Sequence, residues 1–442
     1  MPTSFRDYNP DQSQMFPPSI KDWLPEGHLA YFIADMVERL DLRAFYARYE
    51  GDGRRNQPFE PRMMLKVLLY GYATGVFSSR KVARKLHEDV AFRVLAAENF
   101  PAHRTICDFR REHLEEFEGL FVQVVRVAKE AGLAKLGTLA IDGSKVRANA
   151  SKHKAMSYGR MKDDEKRLKE EIHALVAKAQ SVDEAEDAEL GADNSGDEIP
   201  EELRRRETRL KKIEEAKQRL EQRQAEADRA QGRQPDDGRK SSKGGNDFSR
   251  DFGVPPDTAQ DNFTDPESRI MKTAEGFQQC YSGQAAVDAE RQIIVAAEIT
   301  QNAADCNELL GVIEVAQANA SQKPEQVLAD AGYRSEKNFQ ELETRQIDAY
   351  VAVGREGKKL LSKQPDESLP ATRRMMAKLA TEGGKKRYAR RKCIVEPVFG
   401  WAKAILGFRQ FSLRGLKKVR AEWRLVCTVL NLRRMRTALA VA

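Results

Sequence analysis

The feature that most constrains the fold is an acid that directly follows a short apolar run, and this pattern occurs twice. Residues 139–141 precede Asp142 and Gly143, and residues 327–329 precede Asp330, with Gly332 two positions later. Each apolar run predicts a buried strand, and each glycine lets the backbone turn into the next element. Because open α/β sheets place their chemistry at the carboxyl ends of strands, both acids are candidate site residues.

Other apolar runs complete a sheet. Residues 284–288 and 293–297 flank a polar turn and predict a β-hairpin, and residues 347–353 predict a fifth strand. Helices are predicted over residues 307–315 and from Ser335. The resulting order predicts an α/β protein with a ribonuclease H-like catalytic domain. Its mixed five-stranded sheet has three antiparallel strands and two parallel ones, and helices flank it.

Helical patterns precede and interrupt this sheet. Helices are predicted from residue 28 and after Pro61, Ser78 and Pro101, which gives an all-α N-terminal domain over residues 1–130. Two heptad patterns within residues 160–230, joined by an acidic loop at 183–202, predict an antiparallel helical hairpin. The catalytic domain, residues 131–442, is therefore interrupted at 155–260 by this hairpin and a flexible linker.

Composition narrows the partners and the compartment. The formal net charge of +7 favours an anionic partner. Five cysteines lie apart with no CxxC pair, which fits a reducing cytoplasm. The first residues lack the apolar segment of a signal peptide, and no apolar run is long enough to span a membrane. We therefore expect a cytoplasmic protein.

A third acid lies in a strongly basic stretch. Between Lys385 and Arg436, sixteen residues are basic and only two, Glu396 and Glu422, are acidic. Such a charge imbalance is typical of a phosphate-binding surface. Glu396, flanked by Val395 and Pro397, is therefore a candidate metal ligand facing a nucleic-acid backbone. The alternative is a structural ion pair between Glu396 and a nearby Arg or Lys.

Asp142, Asp330 and Glu396 together predict phosphodiester chemistry. Two Mg²⁺ ions about 4 Å apart can activate a nucleophile and stabilise a leaving group, and Mg²⁺ prefers oxygen ligands. Strands one and four are neighbours in the predicted sheet, so Asp142 and Asp330 are expected side by side. Each acid considered alone is more often a turn former or a helix cap.

A basic helix in the N-terminal part is a candidate DNA-binding element. A serine cap at Ser78 precedes four basic residues, Arg80, Lys81, Arg84 and Lys85. Short helices with basic faces and tight joints suit a helix-turn-helix protein. An ordinary helical bundle whose basic side chains are solvated explains the same residues, and the sequence leaves both interpretations open.

The three acids with their neighbouring residues resemble the DDE transposases of bacterial insertion sequences. The similar segments are AIDGSKVRANAS around Asp142, LADAGYRSEKN around Asp330 and RYARRKCIVEPVFGWAK around Glu396. Within that family the third acid sits in a Tyr–Arg–Glu–Lys signature, here Tyr388, Arg391, Glu396 and Lys403. Four residues separate Arg391 from Glu396 where the signature has three, and Lys392 would restore that spacing. The segment FEPRMMLKVLLYGY is similar to the helical domain that precedes catalysis in this family.

The resemblance implies a function. Asp142, Asp330 and Glu396 would bind two Mg²⁺ ions, with Mn²⁺ able to substitute. Tyr388, Arg391, Lys392 and Lys403 would hold DNA phosphates near the cut. The partners would be double-stranded DNA, as transposon terminal inverted repeats and as target, bound by a homodimer at the bacterial nucleoid. The reaction would be DNA cleavage followed by strand transfer.

Other functions remain open or are disfavoured. A nuclease of the same fold without strand transfer fits equally well, and an inactive DNA-binding relative is disfavoured because all three acids are present. The six histidines form no His-x-His pair, which disfavours the transposases that use a nucleophilic tyrosine. A coiled-coil structural protein would explain residues 160–230 but neither the sheet nor the basic stretch.

Overall fold

The computed structural model describes residues 19–49, 57–190, 201–237, 248–354 and 367–441. Its strands are β1 (Thr138–Arg147), β2 (Ala155–Ser157), β3 (Gln260–Asn262), β4 (Arg269–Thr273), β5 (Gly276–Asp288), β6 (Ile294–Thr300), β7 (Gln326–Ala329) and β8 (Asp348–Val351). The helices before the insertion are α1 (Leu29–Glu38), α2 (Arg43–Ala47), α3 (Pro61–Ala73), α4 (Ser79–Glu88), α5 (Val90–Ala96), α6 (His103–Glu112) and α7 (Leu114–Glu130). The later ones are α8 (Tyr158–Leu190), α9 (Glu201–Ala230), α10 (Leu309–Ala320), α11 (Glu336–Thr344), α12 (Pro370–Ala380), α13 (Glu382–Gly400) and α14 (Leu416–Val441).

The central sheet has the predicted ribonuclease H-like order. Its strands run β6-β5-β1-β7-β8, with β6, β5 and β1 antiparallel and with β1, β7 and β8 parallel. The hairpin of β5 and β6 and the strand that precedes Asp330 are confirmed. The predicted fifth strand is β8, and the helix predicted from Ser335 is α11, which that serine caps through a hydrogen bond from the Asn338 amide.

Two strands differ from the prediction. β1 does not end at Asp142 but continues to Arg147, because it stays paired with β5 after its pairing with β7 ends at Ile141. β5 begins at Gly276, and its first residues pair with β4, a sixth strand that the sequence pattern did not predict. Polar residues in β4 and early β5, such as Lys272 and Gln278, hide the alternation that identifies a half-buried strand.

The N-terminal helices share one hydrophobic core with the sheet. α14 packs against α3, α7 and β6, so the last long helix joins the first helices to the sheet. One continuous cluster of buried side chains includes Leu29 in α1, residues of the central sheet and Met435 in α14. The helices predicted after Pro61 and Pro101 are α3, which starts at that proline, and α6.

A buried polar network crosses the same junction. Glu422 of α14 is 1% exposed and accepts hydrogen bonds from the amides of Ser412 (2.9 Å) and Leu413 (3.0 Å). It also accepts one from the hydroxyl of Tyr72 in α3 at 3.1 Å. That hydroxyl in turn accepts from Arg110 Nη1 at 3.0 Å. Glu422, one of two acids in the basic stretch, therefore links α3 of the N-terminal helices to α14 and to the segment that precedes it.

The insertion is the predicted antiparallel hairpin of α8 and α9. It has a small core of its own, made by Tyr158, Met161, Leu168, Ile213, Ala216 and Leu220. Ion pairs such as Arg206–Glu171 (2.8 Å) and Lys217–Glu165 (3.0 Å) cross between the helices. The acidic loop predicted at 183–202 starts later, because α8 continues to Leu190, and residues 191–200 lie outside the described residues. The centre of the predicted linker, 238–247, also lies outside them.

Candidate active site

Parallel pairing of β1 with β7 brings the two aspartates together. Ile141 and Ala329 form the last register pair between β1 and β7, and Asp142 and Asp330 are the residues that directly follow them. The Asp330 carboxylate accepts a hydrogen bond from the Gly332 amide at 2.8 Å and so caps a short 3₁₀ turn. Asp142 accepts one from the Gly143 amide, also at 2.8 Å.

The electrostatics of Asp142 reflect this crowding. Burial, and then the nearby charge of Asp330, raises the pKa of Asp142 from 3.8 to about 6. The guanidinium of Arg391 acts in the opposite direction. An acid with a raised pKa next to a second acid is typical of a site built to hold a cation.

Arg391 connects Asp142 to the third acid. Its guanidinium lies 3.1 Å from Asp142 Oδ2 and 3.4 Å from Glu396 Oε1, and its side chain is only 6% exposed. Glu396 lies on α13, and half of its side chain is exposed. The ion pair considered for Glu396 is therefore present, and its partner also contacts Asp142.

These residues fit a divalent cation in part. Asp142 and Asp330 place carboxylate oxygens, the atoms that divalent cations prefer, beside each other where the pairing of β1 with β7 ends. Burial, and then the charge of Asp330, raises the pKa of Asp142, and a cation there would offset both effects. Arg391 supplies the counter-charge instead. Within the described ranges, no group of three His, Cys, Asp or Glu side chains is placed to hold a metal ion.

A cavity of 620 Å³ opens beside the acids. Its lining includes Asp330, Arg334, Tyr388 and Arg391. The Tyr388 hydroxyl interacts with the Arg391 guanidinium and, with Asp142, helps to raise the pKa of that arginine. Lys392 is exposed on the same helix. Of the four residues predicted to hold DNA phosphates, Tyr388 and Arg391 therefore border this cavity.

Lys403 lies elsewhere than predicted relative to Glu396. We expected both residues on one helical face, seven residues and two turns apart. α13 ends at Gly400 and residues Trp401–Ile405 form a π-helix, which breaks this periodicity. The Lys403 amino group instead donates to the Lys145 carbonyl at 2.8 Å, and burial lowers its pKa.

Lys403 borders a basic groove of 220 Å³. The other charged residues of the groove are Lys145, Arg147, Arg409 and Glu275. Lys145 and Arg147 belong to the part of β1 beyond Asp142. The sequence pattern gave no function to these two residues, although their position on the strand that carries Asp142 places them near the acids.

Asp305 is a further acid near the site that the sequence pattern did not identify. Its carboxylate accepts hydrogen bonds from Gln284 Nε2 at 2.7 Å and Lys145 Nζ at 3.1 Å. A Cβ atom added to Gly143 would lie 2.9 Å from Asp305 Oδ1. One added to Gly332 would lie 3.6 Å from Asp305 Oδ2. The absence of a side chain at Gly143 therefore permits the close approach of Asp305, whereas the distance at Gly332 is an ordinary contact.

The predicted DNA-binding helix is α4. Val82 and Leu86 are buried in the core, whereas Arg80, Lys81 and Arg84 are exposed. Arg84 and Lys85 each lie 3.5 Å from an acid four residues later. Ser78 occupies the N-cap position, but its side chain makes no capping hydrogen bond. A basic face is therefore present, and Arg80 and Lys81 are the members that carry no described ion pair.

Comparison with protein families identifies the chain. Residues 250–432 match a model described as "Transposase DDE domain", and residues 18–112 match one described as "Transposase domain (DUF772)". The two matches together cover more than half of the 442 residues. The chain is a DDE transposase of the insertion-sequence type. Asp330 and Glu396 of the transposase lie inside the first match, and the basic residues of α4 lie inside the second.

Membership of this family indicates an enzyme of the nuclease and transposase class that acts on DNA. Transposases of this family generally use divalent metal ions. No curated protein and no solved structure matches it. Among its described helices, none is both long and apolar enough to cross a membrane.

Proposed function

We propose that this transposase binds the terminal inverted repeats of an insertion sequence, cleaves DNA there and transfers the freed ends to target DNA. The observation that carries the proposal is that Asp142 and Asp330 each directly follow the last register pair of β1 with β7, Ile141 and Ala329. The Arg391 guanidinium between Asp142 and Glu396 supports the inclusion of the third acid. The Tyr–Arg–Glu–Lys signature is part of the same proposal.

In this mechanism Asp142, Asp330 and Glu396 would hold two Mg²⁺ ions. Such ions supply charge stabilisation to the attacking and leaving oxygens of a phosphodiester, and Mn²⁺ can substitute for Mg²⁺. The single positive charge of Arg391 lies between Asp142 and Glu396 and offsets part of their negative charge. Tyr388, Arg391, Lys392 and Lys403 then hold the phosphates around the cut. The exposed 3′-hydroxyl attacks a target phosphodiester, and the displaced 3′-oxygen of the target leaves in the same step.

The remaining parts of the chain have supporting roles. Residues 1–130 form the DNA-binding part, in which Arg80, Lys81, Arg84 and Lys85 contact the transposon ends. Residues 131–442 form the catalytic part, interrupted at 155–260 by the hairpin and linker. We infer that two copies act together on DNA, since an element has two ends. The place of action is the nucleoid of the bacterial cytoplasm.

A gel assay on a labelled duplex that contains the element's end tests the proposal. The parent should cleave and transfer strands with Mg²⁺ or Mn²⁺, whereas Ca²⁺ should support binding with little chemistry. Asp330→Asn should bind the duplex at least as well as the parent without metal, because it removes a negative charge, yet it should not cleave. Asp236→Asn makes the same charge change at an exposed position outside the site and should cleave like the parent.

Three outcomes are decisive. Full cleavage in chelator, or parent-like cleavage by Asp330→Asn, would refute the metal mechanism. Cleavage without strand transfer would identify a nuclease of the same fold. Binding without any cleavage by the parent would identify an inactive relative.

A further inference from the structure

A second cavity lies away from the acids, where the N-terminal helices meet the catalytic part. It has a volume of about 70 Å³. Leu29 at the start of α1, Ile294 at the start of β6 and Trp401 after α13 form its apolar side. Arg433, Arg434 and Arg436 of α14 form its charged side. We refer to it as the arginine pocket.

Among the residues that the structure describes, no acid pairs with the three arginines. None of the residues that line the arginine pocket is Asp or Glu, and within the described ranges no ion pair involves Arg433, Arg434 or Arg436. Burial lowers the pKa of Arg433 and Arg434, and the charge of Arg436 lowers that of Arg433 further. Three neighbouring cations without a counter-charge are unfavourable, so the site favours an anion.

The arginines are held in place but not saturated. Arg433 donates to the Ala73 carbonyl at 2.7 Å and lies over the Trp401 ring, 4.9 Å from its centre. Arg436 donates to the Gly27 carbonyl at 2.7 Å. Because a guanidinium has five N–H donors, both retain donors for a ligand. The Arg434 side chain makes no hydrogen bond within the described part of the chain, so its planar fork is available.

The arginine pocket is separate from the candidate active site. Val398 lines the pocket and follows Glu396 by two residues on α13. Two residues correspond to about 200° around an α-helix, so these side chains point to opposite sides. A ligand in the arginine pocket therefore cannot be the phosphate that is cut.

We propose that the arginine pocket binds a phosphate group. Guanidinium groups bind phosphate oxygens through paired, charge-assisted hydrogen bonds, and a cavity of this size accepts one such group. The phosphate belongs either to a DNA backbone that crosses the protein beyond the active site or to a free phosphate compound. Because Leu29 and Trp401 border the same cavity, the bound group contacts both the N-terminal and the catalytic part.

A titration of the full-length protein with sodium phosphate in metal-free buffer tests the proposal. Sodium chloride at equal ionic strength is the reference, and the unfolding temperature and tryptophan fluorescence are measured. We expect a saturable rise in the unfolding temperature with phosphate. Arg434→Gln should raise the apparent dissociation constant for phosphate by about tenfold, because it removes a charged, paired contact. Arg126→Gln, the same change at an exposed position of α7, should leave it unchanged.

A measurement on the parent protein tests the proposal even if a variant fails to fold. Phenylglyoxal modifies accessible guanidinium groups, and mass spectrometry of the peptide with Arg433 and Arg434 measures the rate. Phosphate should slow this modification several-fold while modification of Arg126 continues. Arg434→Lys keeps the charge but loses the planar fork, and it should also weaken phosphate binding.

DNA binding distinguishes the two sources of the phosphate. If a DNA backbone occupies the arginine pocket, Arg434→Gln should lower the slope of log affinity against log salt by about one. If a free phosphate compound occupies it, Arg434→Gln should leave that slope unchanged but should still bind phosphate more weakly than the parent in the titration. The proposal is overturned if phosphate neither stabilises nor protects the parent beyond chloride and the DNA slope is unchanged. It is also overturned if Arg434→Gln responds to phosphate and DNA like the parent.

Discussion

The buried network around Tyr72 allows a quantitative test of how firmly the N-terminal helices are attached. Tyr72→Phe removes only the hydroxyl, which donates to Glu422 at 3.1 Å and accepts from Arg110 at 3.0 Å. A hydrogen bond to a charged group contributes about 1.5–3 kcal/mol. In the variant, Arg110 still donates to the Phe77 carbonyl at 3.0 Å, and Glu422 still accepts hydrogen bonds from two amides. Because neither charged group loses all of its partners, we use the lower value for each lost bond. We expect a loss of about 3 kcal/mol in the free energy of unfolding.

Urea unfolding measured by circular dichroism and by tryptophan fluorescence provides the assay. The shared core predicts a single transition by both probes. Tyr46→Phe is the matched control, because its hydroxyl bonds to Glu60 near the surface and should contribute less than about 1 kcal/mol. A Tyr72→Phe loss no larger than that of Tyr46→Phe would refute the reasoning. Two separate transitions would refute the shared core.

Three further predictions concern charge. Lys403→Ala should weaken DNA binding about equally for all sequences and lower the salt slope by about one, whereas a change in sequence preference at constant slope would contradict a phosphate contact. The double change Arg80→Gln and Lys81→Gln on α4 should lower the slope for end-containing DNA by about two, and an unchanged slope would exclude α4 from binding. Asp142 has a folded-state pKa raised to about 6, so metal-free parent protein should lose stability as pH rises from about 4 to about 6. Urea unfolding should therefore show Asp142→Asn about 3 kcal/mol more stable than the parent at neutral pH and equal to it below about pH 4, and equal stability at both would contradict the assigned cause.

The sequence predicts the parts of this fold that depend on local patterns. Short apolar runs before Asp142 and Asp330 identify two strands, and the order of elements identifies them as neighbours. Gly143 was interpreted as a turn residue, whereas β1 passes straight through it. Its lack of a side chain instead makes room for Gln284 and Asp305, a contact between distant parts of the chain that no local pattern encodes.

The side-chain partners in the site were less predictable. Glu396 lies on a helix together with its partner Arg391, five residues earlier, whereas the contact of Arg391 with Asp142 depends on the packing of α13 on β1. Arg391 was assigned to DNA phosphates, and in the folded chain it is buried between two acids, while its DNA contact remains a prediction. Asp305 follows β6 in a segment without periodicity, so the sequence pattern gave no reason to select it among 68 acids.

The way the insertion joins the sheet has a consequence for how this chain can vary. Arg147 at the end of β1 and Arg269 at the start of β4 both face Cys280, on opposite sides of β5. The two attachment points are therefore about 10 Å apart, two strand spacings, however long the intervening segment is. The hairpin also carries its own small core. The inserted segment of roughly a hundred residues can thus become longer or shorter, or be exchanged, in related chains without moving the strand that positions Asp142.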